Sequence, residues 1–346
     1  GGSSPPPPAS PHVAASAVCG PGTVVAMSSD PFAPELADAV VAGLLGAVDV
    51  DDGATDEQLA VLRAFVPHVW KRPDLDLDTL VPLRPEALPG RLPGDQERLR
   101  FCELAMVLEL CRHPQSAAQV DRVEDCAAAL GVTGIALETT RTELERGRAV
   151  IAGDIERLYA EVLPELSERS LRDRYLRLDA PDPTLADRLR ALADSPHGSL
   201  GRAYLAFYER NGFVLPGDDI HLPAHYVNHD MNHVITGYEP TAPGEIARSG
   251  FLAAANPSRH NWLEFLLTLS IHESGVLSHG DIRAKFSTLS RPGVGDLLAE
   301  GLDRGRQCTV DLSQLDHLAI AHESLASIRE RYNVVPLAHP VVTDTP

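Results

Sequence analysis

The sequence predicts an all-α chain built as two helical domains, and three observations carry that expectation. From Glu35 onward, apolar residues recur at the three- and four-residue spacing of an amphipathic helix. Helix ends carry their own signals: Thr55 stands as an N-cap before Asp56 and Glu57, and Pro223 and Gly237 bracket a histidine-rich segment. The 346 residues, 44% of them hydrophobic, are enough chain for two cores at roughly 100–200 residues per domain.

Taken in order, residues 1–34 hold eight of the 28 prolines, including Pro5–Pro8, and lack a periodic apolar pattern. Such a segment buries too little surface to offset its ordering entropy and is expected to be disordered. Leu36, Val40, Leu44 and Val48 mark a first helix; Leu59, Leu62 and Phe65 behind the Thr55 cap mark a second. A proline-rich connector, Pro73–Pro93, leads to a helix carrying Leu99, Leu104, Leu108 and Cys111. Val120, Val123 and Ala127 continue into a fourth that stops at Gly131, and a long helix is expected from Ile135 to Glu168. The first domain is thus placed at 35–150, a helical linker at 151–195, a second domain at 196–336 and a tail at 337–346.

Charge narrows the function classes. Thirty basic residues against 49 acidic ones give a net charge of −19, which argues against nucleic-acid binding and against a polybasic membrane anchor. The acidity is concentrated at 30–150, with 22 acidic against 12 basic residues. No apolar run reaches the ~20 residues of a membrane span, and no charged residue precedes Asp30 to form the basic start of a secretory leader. The five cysteines are odd in number and form no CxxC pair, so a reduced cytoplasmic setting is expected, with Cys102, Cys111 and Cys126 as small core residues. The expected location is cytoplasmic, with at most peripheral contact at the inner face of a membrane; a homo-oligomer is compatible with the sequence.

Seven of the 14 histidines fall between His221 and His279. The segment from Pro223 to Gly237 reads as one helix, on which His229 and His233, four apart, project from one face and can converge on a single cation. Asp230 lies about 100° around that helix, where it can ligate at the edge of the site or orient an imidazole. Beyond Gly237 the chain can reverse through Tyr238–Gly244, and Glu245 opens a new helix that returns a carboxylate to the ion. Two histidines with one or two carboxylates suit a catalytic divalent ion: zinc first, with iron, cobalt or manganese compatible. His229, Asp230, His233 and Glu245 are the candidate metal-binding and catalytic residues. His225 continues the stripe as a candidate pocket residue, His221 is read as surface, and His272-Glu273 as the polar end of a core helix.

The N-terminal region repeats itself. An apolar helix, a polar turn and a second helix occur at Val40–Phe65 and again at Leu104–Leu130. With Asp49, Asp51, Asp52, Gly53, Asp56 and Glu57 in the first turn and Asp121 and Glu124 after the second, this pairing resembles the TerB-like (tellurite-resistance B) helical domain. The second turn, His113-Pro114-Gln115-Ser116, lacks the aspartate-glycine pair. An EF-hand register fails: with Gly53 at the sixth loop position, the first, third and twelfth ligands would be Val48, Val50 and Leu59.

In the second domain, His229-Asp230-x-x-His233-x11-Glu245 resembles the metal motif of the coenzyme Q biosynthesis protein 4 family. Pro196-His-Gly-Ser-Leu-Gly-Arg-Ala-Tyr204 with Phe207, the continuation His233-Val-Ile-Thr-Gly-Tyr238, and Gly305-Arg306, Asp311 and Leu325-x-x-Ile-Arg329 with Val334 extend the resemblance over roughly Pro196–Pro336. It implies an all-α metal-binding fold that holds a prenylated or otherwise apolar ring substrate between helices. It also implies oxidative decarboxylation in ubiquinone biosynthesis, or a non-catalytic lipid-binding scaffold for other biosynthetic enzymes. Apolar positions at Trp262, Phe265 and Leu269 are expected to line the tail tunnel. An HD-type metal-dependent phosphohydrolase is the less favoured alternative, because the His229-Asp230 doublet is followed by His233 and Glu245 at metal spacing.

Overall fold

A computed structural model describes residues 32, 34–132, 181–218, 224–275 and 285–338. The helix expected over 135–168, most of the linker, His221, Pro223 and most of both tails lie outside the described residues. Among the described residues the fold is all-α, with eleven α-helices.

The first four helices form a duplicated hairpin. Helices α1 (Ala37–Val48) and α2 (Asp56–His68) make the first copy, α3 (Asp95–Leu110) and α4 (Ala117–Leu130) the second. Thr55 caps α2 with a reciprocal bond to Gln58 and Gly131 closes α4 in the left-handed conformation, as the sequence signals predict, while Ser116 caps α4. Gln58 Nε2 donates to Leu108 O (2.9 Å), while Gln119 Nε2 donates to Ala47 O (2.7 Å). These pairs, like Thr55 and Ser116, are related by one offset of 61 residues, and Gln58 Nε2 also donates to Gln119 Oε1 at 2.9 Å. Each glutamine, on the first turn of its own helix, therefore satisfies a carbonyl near the end of the other hairpin's first helix. The repeat seen in the sequence is a structural two-fold.

The acidic turn after α1 is held from inside. Arg112, only 5% exposed, donates to the carbonyls of Gly53 (3.0 Å) and Val50 (3.2 Å) and to Asp51 (3.3 Å). A guanidinium thus takes up two carbonyls of the turn.

Phe32, which the sequence assigned to the proline-rich segment, is buried edge-on to Trp70 with ring centroids 6.2 Å apart. Leu99, placed in the apolar stripe of α3, is 42% exposed; Phe101 and Cys102 are buried instead. The four cysteines at 102, 111, 126 and 308 are buried thiols, and burial pushes Cys102 and Cys126 up to about 12, consistent with inert core residues.

The second region comprises α5 (Pro183–Arg190), α6 (Leu200–Asn211), α7 (His225–Thr236), α8 (Ala242–Ala255), α9 (Arg259–His272), α10 (Val294–Gln307) and α11 (Leu325–Arg331). Helices α8 and α10 pack backbone to backbone: a Cβ on Gly301 would lie 2.4 Å from Ala247 O, and one on Gly305 2.2 Å from Phe251 O. Only glycine permits that approach. Helix α10 also packs on α2, and α9 on α3. One apolar core consequently runs from Val41, Leu62 and Phe101 through Trp262, Phe265, Leu269, Leu298 and Leu302. Arg100 reinforces the junction, 4.3 Å above the Trp262 ring and donating to Pro257 O at 3.0 Å. A second core of Tyr204, Phe207, Val227, Ile235, Tyr238 and Phe251 lies under α7 and carries the candidate site.

Candidate metal centre

Helix α7 ends where Gly237 turns left-handed (φ 87°) and its N–H bonds His233 O at 2.7 Å. The reversal places Tyr238 O within reach of the helix it has just left, and His233 Nδ1–H donates to it at 2.9 Å. That bond fixes the ring with Nε2 aimed inward. Phe207 stacks on the other face of the imidazole at 5.7 Å.

Helix α8 begins three residues earlier than the sequence suggests, at Ala242, because Thr241 caps it by accepting from Gly244 N at 3.2 Å. Glu245 therefore stands in the first turn, with its carboxylate near the positive end of the helix. Its oxygens lie 3.0 Å from His233 Nε2 and 3.4 Å from His229 Nε2, and the two Nε2 atoms are 3.3 Å apart. His229, His233 and Glu245 each offer a ligand atom, all within 4.8 Å of one another. Burial works to raise the Glu245 carboxyl, but His233 and His229 outweigh it and hold it well below the usual carboxylate range.

Asp230 faces the same region from another side of α7. Tyr208 O–H donates to Oδ2, and Oδ1 is 4.0 Å from His229 Nε2. Burial raises Asp230, against the opposing pull of both histidines and Tyr208. The structure thus brings His229, His233 and Glu245 together and gives Asp230 a phenolic partner beside them.

Three residues that the sequence did not single out complete the centre. Arg248, fully buried one turn beyond Glu245, lies 2.7 Å from Glu264 Oε1, 3.1 Å from His229 Nδ1 and 3.4 Å from Glu245 Oε2 through its Nη2. Glu264, from α9, is 6% exposed. Tyr208 is the third. A lone acid in the apolar run Trp262-Leu-Glu264-Phe was the one available signal. With its carboxylates ionised and both histidines neutral, as ligation of a cation requires, the cluster holds Asp230, Glu245 and Glu264 against the single guanidinium of Arg248, a surplus of two negative charges in a buried setting. Such a surplus is costly unless a cation neutralises it. The donor set of two imidazoles and a carboxylate and the charge deficit of two both fit a divalent ion. The His229 side chain, 22% exposed, is the most open of the three donors.

The other candidate residues lie outside the three-donor group. His225 is buried, its ring 4.3 Å from that of Tyr226, outside the three-donor group. His272 and Glu273 close α9: the His272 carbonyl accepts from Thr288 O–H, and Glu273 Oε2 accepts from Leu289 N at 2.7 Å. Trp262, Phe265 and Leu269 do not wall the site. They belong to the core shared with the N-terminal helices, because the other face of α9 is covered by α3. The aromatic side chains at the donors are instead Phe207, Tyr208 and Tyr226, with Phe213, 44% exposed, packed on the first two at 6.0 and 5.9 Å.

No family model matches the chain, and no curated protein matches it. The TerB-like resemblance of the N-terminal region accordingly has no counterpart among these comparisons. Among solved structures, one match is a 2.85 Å crystal structure from Nostoc punctiforme PCC 73102, of a protein provisionally named for ubiquinone biosynthesis. It is 20% identical, covers 67% of this chain and 96% of that one, and superposes with a TM-score of 0.32. At that score the likeness carries no statement about activity. Among the described residues no helix is long and apolar enough to cross a membrane.

Proposed function

We propose that this chain is a divalent-metal protein that acts on an apolar, carboxylated ring compound, with decarboxylation as the reaction class. The supporting observation is the convergence of His229, His233 and Glu245 within 4.8 Å inside a cluster whose carboxylates outnumber its guanidinium. The choice of substrate and reaction rests on the sequence resemblance to the coenzyme Q biosynthesis protein 4 family over Pro196–Pro336.

His229, His233 and Glu245 would hold the ion, zinc in first place. Such an ion would supply Lewis-acid polarisation of a ring carboxylate or oxygen, stabilising charge that develops as carbon dioxide leaves. The chain's own groups set the frame. Tyr238 O keeps His233 in one orientation, and Phe207 stacks on that imidazole, shielding that face from water. Tyr208 fixes the Asp230 carboxyl beside the donors. Phe213 and Tyr226, beside the donors, would supply apolar contact to the substrate ring.

The test is carbon dioxide release from a prenylated carboxylated phenol by zinc-, iron-, cobalt- and manganese-loaded full-length protein, wild type and the variants His229→Ala and Glu245→Ala. Turnover in the wild type that disappears in both variants supports the reading. Tight substrate binding without turnover under every metal assigns the site a carrier role instead.

A further inference from the structure

The two candidate imidazole ligands are held from behind in opposite senses. His233 Nδ1–H donates to Tyr238 O, which leaves Nε2, 3.0 Å from Glu245 Oε1, as the nitrogen that faces the site. His229 Nδ1 faces Arg248 Nη2 at 3.1 Å. A guanidinium donates and never accepts, so in this arrangement His229 Nδ1 supplies the lone pair and Nε2 the proton. That is the reverse of what an imidazole needs to give Nε2 to a cation. The same Nη2 also approaches Glu264 Oε1 (2.7 Å) and Glu245 Oε2 (3.4 Å). Its two hydrogens are shared among these three acceptors.

Both features change in one step. If His229 moves its proton to Nδ1, with no change in ring charge, it stops competing for Nη2 and needs an acceptor of its own. Glu264 Oε1 is 3.8 Å from Nδ1, one small displacement from a hydrogen bond, and is already fixed by the buried Arg248.

We propose that Glu264 is the positioning residue of His229: it accepts the Nδ1–H of the metal-bearing imidazole while Arg248 remains its counter-charge. The inference rests on the metal reading above. Carboxylates behind metal-bound histidines set ring orientation and basicity, and their loss typically costs about 10–100-fold in metal affinity.

The experiment uses the full chain. Zinc is titrated calorimetrically into wild type and Glu264→Gln, and long-range ¹H–¹⁵N NMR of histidine-labelled wild type reads the tautomer of His229 before and after zinc. The expected result is an Nε2-protonated ring without zinc, an Nδ1-protonated ring with it, and affinity lower by about 10–100-fold in Glu264→Gln. Equal affinity in the two proteins overturns the role of Glu264 while leaving the metal reading intact. A wild type that binds no zinc, iron, cobalt or manganese removes the metal reading itself. Should Glu264→Gln fail to fold, the wild-type tautomer still decides: a zinc-loaded His229 without a proton on Nδ1 overturns the proposal.

Discussion

Among the described residues, Arg112 and Arg248 are two of the arginines buried between helices, and they keep opposite electrostatic company. Arg112 is surrounded by neutral acceptors, the carbonyls of Gly53 and Val50 and the amide of Gln58, with Asp51 at the solvent edge. Arg248 sits among Glu264, Glu245 and His229, with Asp230 close by. The first centre is a hydrogen-bonded network of the kind that locks helices together. The second, with both histidines neutral, leaves negative charge uncompensated and donor atoms convergent. Burial of an arginine alone does not distinguish structure from chemistry; the charge left over does.

The largest expected effect separates the two centres by their response to metal. Saturating zinc should stabilise the wild type by about 4 kcal/mol at a thousandfold excess over Kd. In His233→Ala that increment should vanish, as followed by thermal unfolding with and without zinc; an undiminished zinc effect in the variant breaks the contrast.

The next effect is in pH. On the side of α7 facing 313–317, His317 Nε2–H donates to Asn232 Oδ1 at 3.0 Å, Asn232 donates to Asn228, and Asn228 to Ser313 O. Burial pushes the His317 imidazole from 6.5 down to about 4. The folded state therefore binds fewer protons than the unfolded one between those values. The stability contributed by neutral His317 is complete above about pH 6.5 and falls away as pH drops towards 4, by about 3 kcal/mol in all. Urea unfolding of His317→Gln across that window should show a flatter profile than the wild type. An unchanged slope sinks the assignment.

Smaller again is Arg112→Met, which removes the donor from three buried acceptors and should cost about 2 kcal/mol in chemical denaturation, equally with and without zinc. A zinc-dependent cost would place the acidic turn in the metal chemistry after all. The smallest effect belongs to Asp52→Asn, on the exposed rim of that turn: no resolvable change in melting temperature or in zinc stoichiometry by mass spectrometry.

Much of this was legible locally. Caps at Thr55, Gly131 and Gly237 gave the helix ends because backbone N–H and C=O groups at a helix end need partners nearby in sequence. His229 and His233 were legible because four residues is one turn, and Glu245 because Gly237 and the Pro240–Pro243 segment force a reversal. Leu99 misled because a single-face pattern cannot say whether its neighbour is protein or solvent. Trp262, Phe265 and Leu269 misled for a related reason: apolar side chains on α9 fit a tunnel wall and a core equally well, and only the seating of α3 against α9 decides between them.

By itself the sequence determined the helical class, the duplicated hairpin and the three convergent donors, since each depends on spacing along one helix or across one turn. Tertiary structure alone decided the company those donors keep. Glu264 arrives from a different helix, Tyr208 from another, and Arg248 acquires its meaning only when Glu245 and Glu264 meet it. Periodicity fixes which way a side chain leaves its own helix; the charge of the space it enters is a sum over elements far apart in the chain, and that sum exists only once they pack.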